Sequence, residues 1–155
     1  MIYFMQTTRF YPKSFEDFGL KKIEGNLYLS VVDNSVWKER KLYDLGYGRE
    51  IGFYRMPELT FDELIKLAFV KLDKEINEKT YNYWGSLSVL LDDHCEELIA
   101  YIKDNIGNDV SFIKEYKHVI DYINCQLNVP EYIIKRLSDK RLAKCCFIWK
   151  EIFNN

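Results

Sequence analysis

The chain has 155 residues (18.6 kDa) with 22 Lys and Arg against 24 Asp and Glu, a net charge of −2, and 48% hydrophobic and 30% charged residues, which is one globular domain's worth of material. That balance excludes a collagen or a disordered tail, and no apolar run approaches the ~20 residues of a membrane-spanning helix. Met1 to Gln6 lacks the basic start, apolar stretch and cleavage site of a secretory signal, so a cytoplasmic protein is expected.

The N-terminal third is glycine-rich, with Gly19, Gly25, Gly46, Gly48 and Gly52 all ahead of Pro57. Ile2 to Met5, Asn26 to Val32 and Glu50 to Arg55 are rich in β-branched and aromatic residues bounded by turn formers, and read as short strands. Ser14 to Asp17 with Gly19 beyond predicts one capped helical turn, and Val36 to Leu45, closed by Gly46, reads as a short helix. From Pro57 onward helical periodicity dominates. Thr60-Phe61-Asp62-Glu63 is a capping box, and the apolar spacing Phe61, Ile65, Ala68, Leu72, Ile76 predicts a helix to about Asn77. A second helix is expected from Ser86 to Ile106, ended by Gly107; its apolar residues cover half the circumference, which makes it the central helix of a packed layer. A third begins near Asn108 or Asp109 and carries Ile113, Tyr116, Ile120, Ile123 and Leu127. Pro130 opens a short fourth helix, and Ser138-Asp139 caps a last one ending near Phe153. The expected fold is a single α+β domain over residues 1–155, with a short β-rich part (1–57) followed by a helical bundle or stack (58–155).

Charge is unevenly spread, with nets of +1 over residues 1–60, −6 over 61–110 and +3 over 111–155. Asp92, Asp93, Glu96 and Glu97 recur at spacings of one and four, which stacks four carboxylates on the outer side of the second helix. Like charges so close repel, so folding alone does not select them, and a negative field of this kind raises encounter rates with a basic partner. The only dense basic group is Lys135, Arg136, Lys140, Arg141 and Lys144, so direct nucleic-acid binding is not expected.

Signals for chemistry are sparse. Cys95, Cys125, Cys145 and Cys146 match no zinc-ligand spacing and read as buried reduced thiols, and no metal or cofactor is expected. His94 falls on the apolar stripe of the second helix, three residues from Glu97, and reads first as a core or boundary histidine; with Asp93 or Glu97 it is also the one acid–base pair from which a small hydrolase could be built. Gly46-Tyr47-Gly48-Arg49-Glu50-Ile51-Gly52 has its last glycine one place too late for a dinucleotide fingerprint and reads as a turn.

In size and character along its whole length, and most suggestively at Arg55-Met56-Pro57-Glu58-Leu59-Thr60-Phe61-Asp62-Glu63-Leu64 and Tyr83-Trp84-Gly85-Ser86-Leu87, the chain resembles the small bacterial immunity proteins of polymorphic-toxin and contact-dependent growth inhibition systems. The resemblance implies a cytoplasmic inhibitor that binds one cognate toxin domain, often a nuclease, and blocks it without catalysis. The residues expected to face a basic toxin are Asp92, Asp93, Glu96 and Glu97, with Tyr81, Tyr83 and Trp84 just upstream as aromatic anchors, because Tyr and Trp dominate binding energy at interfaces. A helical interaction module of a phage or regulatory complex is the alternative.

Overall fold

The computed structural model describes residues 1–6, 14–42, 50–71, 82–108 and 111–153. They form an α+β fold: an antiparallel five-stranded sheet, then helices. The strands are β1 (Phe4–Gln6), β2 (Leu20–Glu24), β3 (Leu27–Ser30), β4 (Val36–Leu42) and β5 (Glu50–Arg55), in the order β1-β5-β4-β3-β2. The helices are α1 (Phe61–Ala68), α2 (Asn82–Asp93), α3 (Cys95–Asn108), α4 (Ser111–Glu115), α5 (Lys117–Leu127), α6 (Glu131–Ile134) and α7 (Lys140–Phe153).

Register decides what each sheet face does. Trp37 lies opposite both Tyr28 and Arg55, and Glu39 opposite Phe53, so these side chains share one face. There Leu20, Tyr28, Trp37 and Phe53 form a small core, with Met5, Phe15, Phe18 and Ile51 packed against it. Phe15 and Phe18 belong to the expected capped turn, a 3-10 turn at Phe15–Phe18 in which Ser14 N donates to Asp17 Oδ2 (2.9 Å), with a left-handed Gly19 at its end. The opposite face carries Phe4 across from Tyr54, and Lys38 and Arg40. This face meets the helices: α2 packs against β1 and β4, and Gly85 comes so near Phe4 that a Cβ there would collide with its ring. Only glycine fits at that crossing. Asn82 fastens the same junction, accepting from Tyr3 N (3.0 Å) and donating to the Met1 carbonyl (2.8 Å).

Several expectations need correction. Val36 to Leu42 is strand β4 rather than a helix, since alternation buries Trp37 on one side and turns Arg40 to the other; Leu45 and Gly46 lie outside the described residues. Strand β2 left no signal in the sequence because it is an edge strand with only Leu20 buried. Helix α1 keeps its capping box (Glu63 N to Thr60 Oγ1, 3.3 Å; Thr60 N to Glu63 Oε2, 2.9 Å) but stops at Ala68, and the expected stretch from Leu72 lies outside the described residues. Phe69 turns out of the helix and places its ring 5.1–5.5 Å from Tyr101, Phe112 and Tyr116. The same ring cluster holds Tyr116 at the joint between α4 and α5, which divides the expected third helix. The expected second helix is likewise two, α2 and α3, meeting at His94.

Most other assignments stand. Helix α2 is central, touching α1, α3, α5 and the sheet, and buries Tyr83, Leu87, Val89 and Leu90. Pro130 precedes α6, and Asp139 caps α7, its Oδ1 accepting from Arg141 N (3.0 Å) and Leu142 N (3.2 Å). Cys95, Cys145 and Cys146 are buried free thiols, whereas Cys125 is exposed on α5, against the expectation that all four are covered. No helix among the described residues is long and apolar enough to cross a membrane.

Candidate docking surface

Helix α2 is almost entirely enclosed, and what it leaves at the surface is a narrow stripe. Trp84 is 49% exposed, Ser88 sits one turn on, and Leu91 and Asp92 follow at the far end. At 1.5 Å per residue, Trp84 and Asp92 stand ~12 Å apart along the helix. Ser88 Oγ donates to the Trp84 carbonyl (3.0 Å) and pairs with the Tyr122 hydroxyl (3.1 Å), which fixes the middle of the stripe.

Its lower end is the α2–α3 joint. Because the helix divides at His94, the four carboxylates do not share one helix face. Asp92 and Asp93 lie in the last turn of α2, next to the negative end of its dipole, where a carboxylate is unfavourable. Arg40 of β4 offsets this: its guanidinium grips both oxygens of Asp93 and one of Asp92. Burial opposes the Arg40 charge, but the hydrogen bonds and field of Asp93 and Asp92 outweigh it and push its pKa above the ordinary arginine value. The Arg40 group also lies over the Tyr54 ring, 5.7 Å from its centre. The Tyr54 hydroxyl is buried with no hydrogen-bond partner among the described residues, and burial pushes its pKa up despite the nearby guanidinium.

Glu96 and Glu97 occupy the first turn of α3, where the dipole favours them. His94 Nδ1 donates to Glu97 Oε2 (2.7 Å), and the His94 ring packs on Phe61 at 5.6 Å. Lys144 of α7 reaches Glu96 at 4.0 Å. Between the two helix ends and the start of α7 lies a shallow cleft of about 50 Å³, lined by Leu91, Asp92, Asp93, Cys95, Glu96, Glu97, Asp139, Arg141 and Leu142. That is room for a few waters and far short of a small-molecule pocket. Of the residues grouped here, five are carboxylates (Asp92, Asp93, Glu96, Glu97, Asp139) and three are cations (Arg40, Arg141, Lys144), which leaves two negative charges over. Asp93, Glu96 and Glu97 keep 43%, 46% and 58% of their side-chain surface in solvent.

The aromatic candidates separate. Trp84 is exposed; Tyr83 is 5% exposed and belongs to the main core, with its ring 5.5 Å from Trp84 and 5.4 Å from His118; Tyr81 lies outside the described residues. Sequence reasoning missed Arg40, because a helical reading of Val36 to Leu45 hides which way Arg40 points. It also missed Asp139, Arg141 and Lys144 as neighbours of the acidic joint, since only the packing of α3 on α7 brings them there. As an acid–base set, His94 and Glu97 are joined, but the Asp93 carboxylate is taken by Arg40. Among the described residues no group of three or more His, Cys, Asp or Glu side chains is disposed to hold a metal ion.

Comparison of the chain with known protein families, with curated proteins and with solved structures gives no match.

Proposed function

We propose that this protein is an immunity-type inhibitor that neutralises a cognate toxin domain by stoichiometric binding in the cytoplasm, without performing catalysis. The observation that carries the reading is the stripe from Trp84 to the α2–α3 joint: an exposed indole at one end and, at the other, a carboxylate group that keeps two surplus negative charges after its own cations are counted. An aromatic anchor beside a charged rim is the combination that gives a protein interface both affinity and steering. The partner it suits is a protein with a basic face, which is the electrostatic character of a nuclease toxin. Asp92 and Asp93 contribute in a second way, because their grip on Arg40 holds the joint rigid against the sheet.

The test is co-expression with the protein encoded immediately upstream, followed by co-purification and a protection assay. The expected outcome is an equimolar complex and rescue of growth, with Trp84→Ala weakening the complex by ~2 kcal/mol, about thirtyfold in Kd. Turnover of a substrate by the isolated chain, or an unimpaired complex with Trp84→Ala, contradicts the reading.

A further inference from the structure

Two exposed helix stripes of this molecule match each other in length, in their aromatic ends and in charge. The first is the stripe on α2, with Trp84 at one end and Asp92 ~12 Å further along. Residues 82–97 hold four carboxylates and neither lysine nor arginine. The second is on α7, where Lys140, Lys144 and Phe147 recur at spacings of four and three and so share one face. All three are exposed, Phe147 to 41%, and Lys140 stands ~10.5 Å from Phe147 along the axis. Residues 131–153 hold six lysines and arginines against three carboxylates. Lys135 and Lys144 are paired, with Glu131 (3.4 Å) and Glu96 (4.0 Å); among the described residues, Arg136, Lys140 and Arg141 have no ion-pair partner. The two stripes converge, because Arg141 and Leu142 at the start of α7 line the same cleft as Leu91 and Asp92 at the end of α2. Acidic and basic patches are therefore neighbours within one copy.

We propose that a second copy of this chain occupies these stripes, with α7 of each copy lying antiparallel on α2 of the other. The direction follows from the order of residues: α2 runs from its ring to its acids and α7 from its cations to its ring. Antiparallel helices set Phe147 against Trp84 while Lys140 and Arg141 meet Asp93, Glu96 and Glu97. The rings supply contact area, and the charges fix the register. A two-fold axis makes each contact twice, and the assembly closes at two copies. Such a copy satisfies both patches at once, whereas a partner of a single sign satisfies only one. The pairing covers the stripe assigned above to a toxin, so it describes the protein before a partner displaces one copy. It involves this chain alone and is measured without a partner, so it can fail while the neutralisation reading holds.

The experiment measures the mass of the full-length protein by light scattering over a range of concentrations, at low and high salt. At low salt the mass should rise with concentration to twice the 18.6 kDa of one chain, and high salt should weaken the dimer by about tenfold or more. Glu96→Lys with Glu97→Lys makes both patches basic, and Lys140→Glu with Arg141→Glu makes both acidic. Each double variant, checked for native circular dichroism, should be monomeric alone, and an equimolar mixture of the two should recover the dimer. Phe147→Ala leaves both charge sets intact at an exposed position and should weaken the wild-type dimer about tenfold. A wild-type monomer at every concentration, masses that climb past two copies, a dimer formed by either folded double variant alone, a mixture of the two folded variants that stays monomeric, or an undiminished dimer with Phe147→Ala would each overturn the proposal.

Discussion

The two hydrophobic cores are built on different terms. The helical core is large and mostly aliphatic: Leu64, Leu87, Leu90, Leu98, Ile102, Ile123, Leu127 and Ile134 are essentially out of solvent, and each is surrounded by several others. The sheet core has four buried residues, three of them aromatic, roofed by two Phe rings from a single 3-10 turn. Its rings have polar tips that must be satisfied locally: Trp37 Nε1 donates to Ser35 Oγ (2.8 Å) and the Tyr28 hydroxyl to Glu39 Oε2 (2.6 Å). A core with that little redundancy is expected to open as a unit, so β2, β3 and β4 should exchange faster than the helices of the large core. The proposed docking stripe lies on α2, whose Tyr83, Leu87, Val89 and Leu90 are buried in the large core.

The largest effects should come from deleting one side chain in each core. Phe53→Ala and Ile102→Ala each cost about 2–5 kcal/mol, but native-state hydrogen exchange should separate them. Ile102→Ala speeds exchange throughout the molecule, whereas Phe53→Ala speeds it chiefly in β2, β3 and β4. Uniform acceleration in both variants would show a single cooperative core.

A smaller effect is expected where the two regions meet. Arg40→Gln leaves Asp92 and Asp93 at the end of α2 without their cation; with all three side chains partly in solvent, the loss should be about 1–2 kcal/mol in denaturant unfolding. A loss near zero would mean that the sheet and α2 are held together by Phe4, Gly85 and Asn82 alone.

The smallest effect is confined to alkaline pH. The bond to Glu39, burial and the Glu39 charge push the Tyr28 phenol from 10.0 up to about 12. A pKa raised by folding means that the stabilisation is full below pH 10 and is lost as pH rises through about 12. Tyr28→Phe removes that dependence, so the stability difference between wild type and variant should shrink across this window. A difference constant with pH would show that the Tyr28–Glu39 bond does not contribute.

Local chemistry was legible from the chain wherever a signal is local. The capped turn at Ser14, the capping box at Thr60, the Asp139 cap, the Pro130 start and β5 all depend on residues within a few positions, and they form where expected. Tertiary contacts decided the rest. Phe69 and Tyr116 interrupt good helical periodicity because their rings meet in one cluster, and β4 was hidden because a Trp-Lys-Glu-Arg-Lys run alternates only once its two faces are known. For the candidate surface, the sequence located the carboxylates and Trp84 but not the cations that restrain them, which arrive from β4 and α7.

The most direct measurement is the association rate with the co-expressed upstream partner as ionic strength is varied, for wild type and for the double variant Glu96→Lys, Glu97→Lys, whose side chains are exposed enough to leave the fold intact. The expected result is a wild-type rate that falls steeply with salt and a variant rate lower by about tenfold at low salt, the two converging at high salt. Equal rates at every salt concentration, or no complex at all, would contradict a protein that works through its acidic stripe.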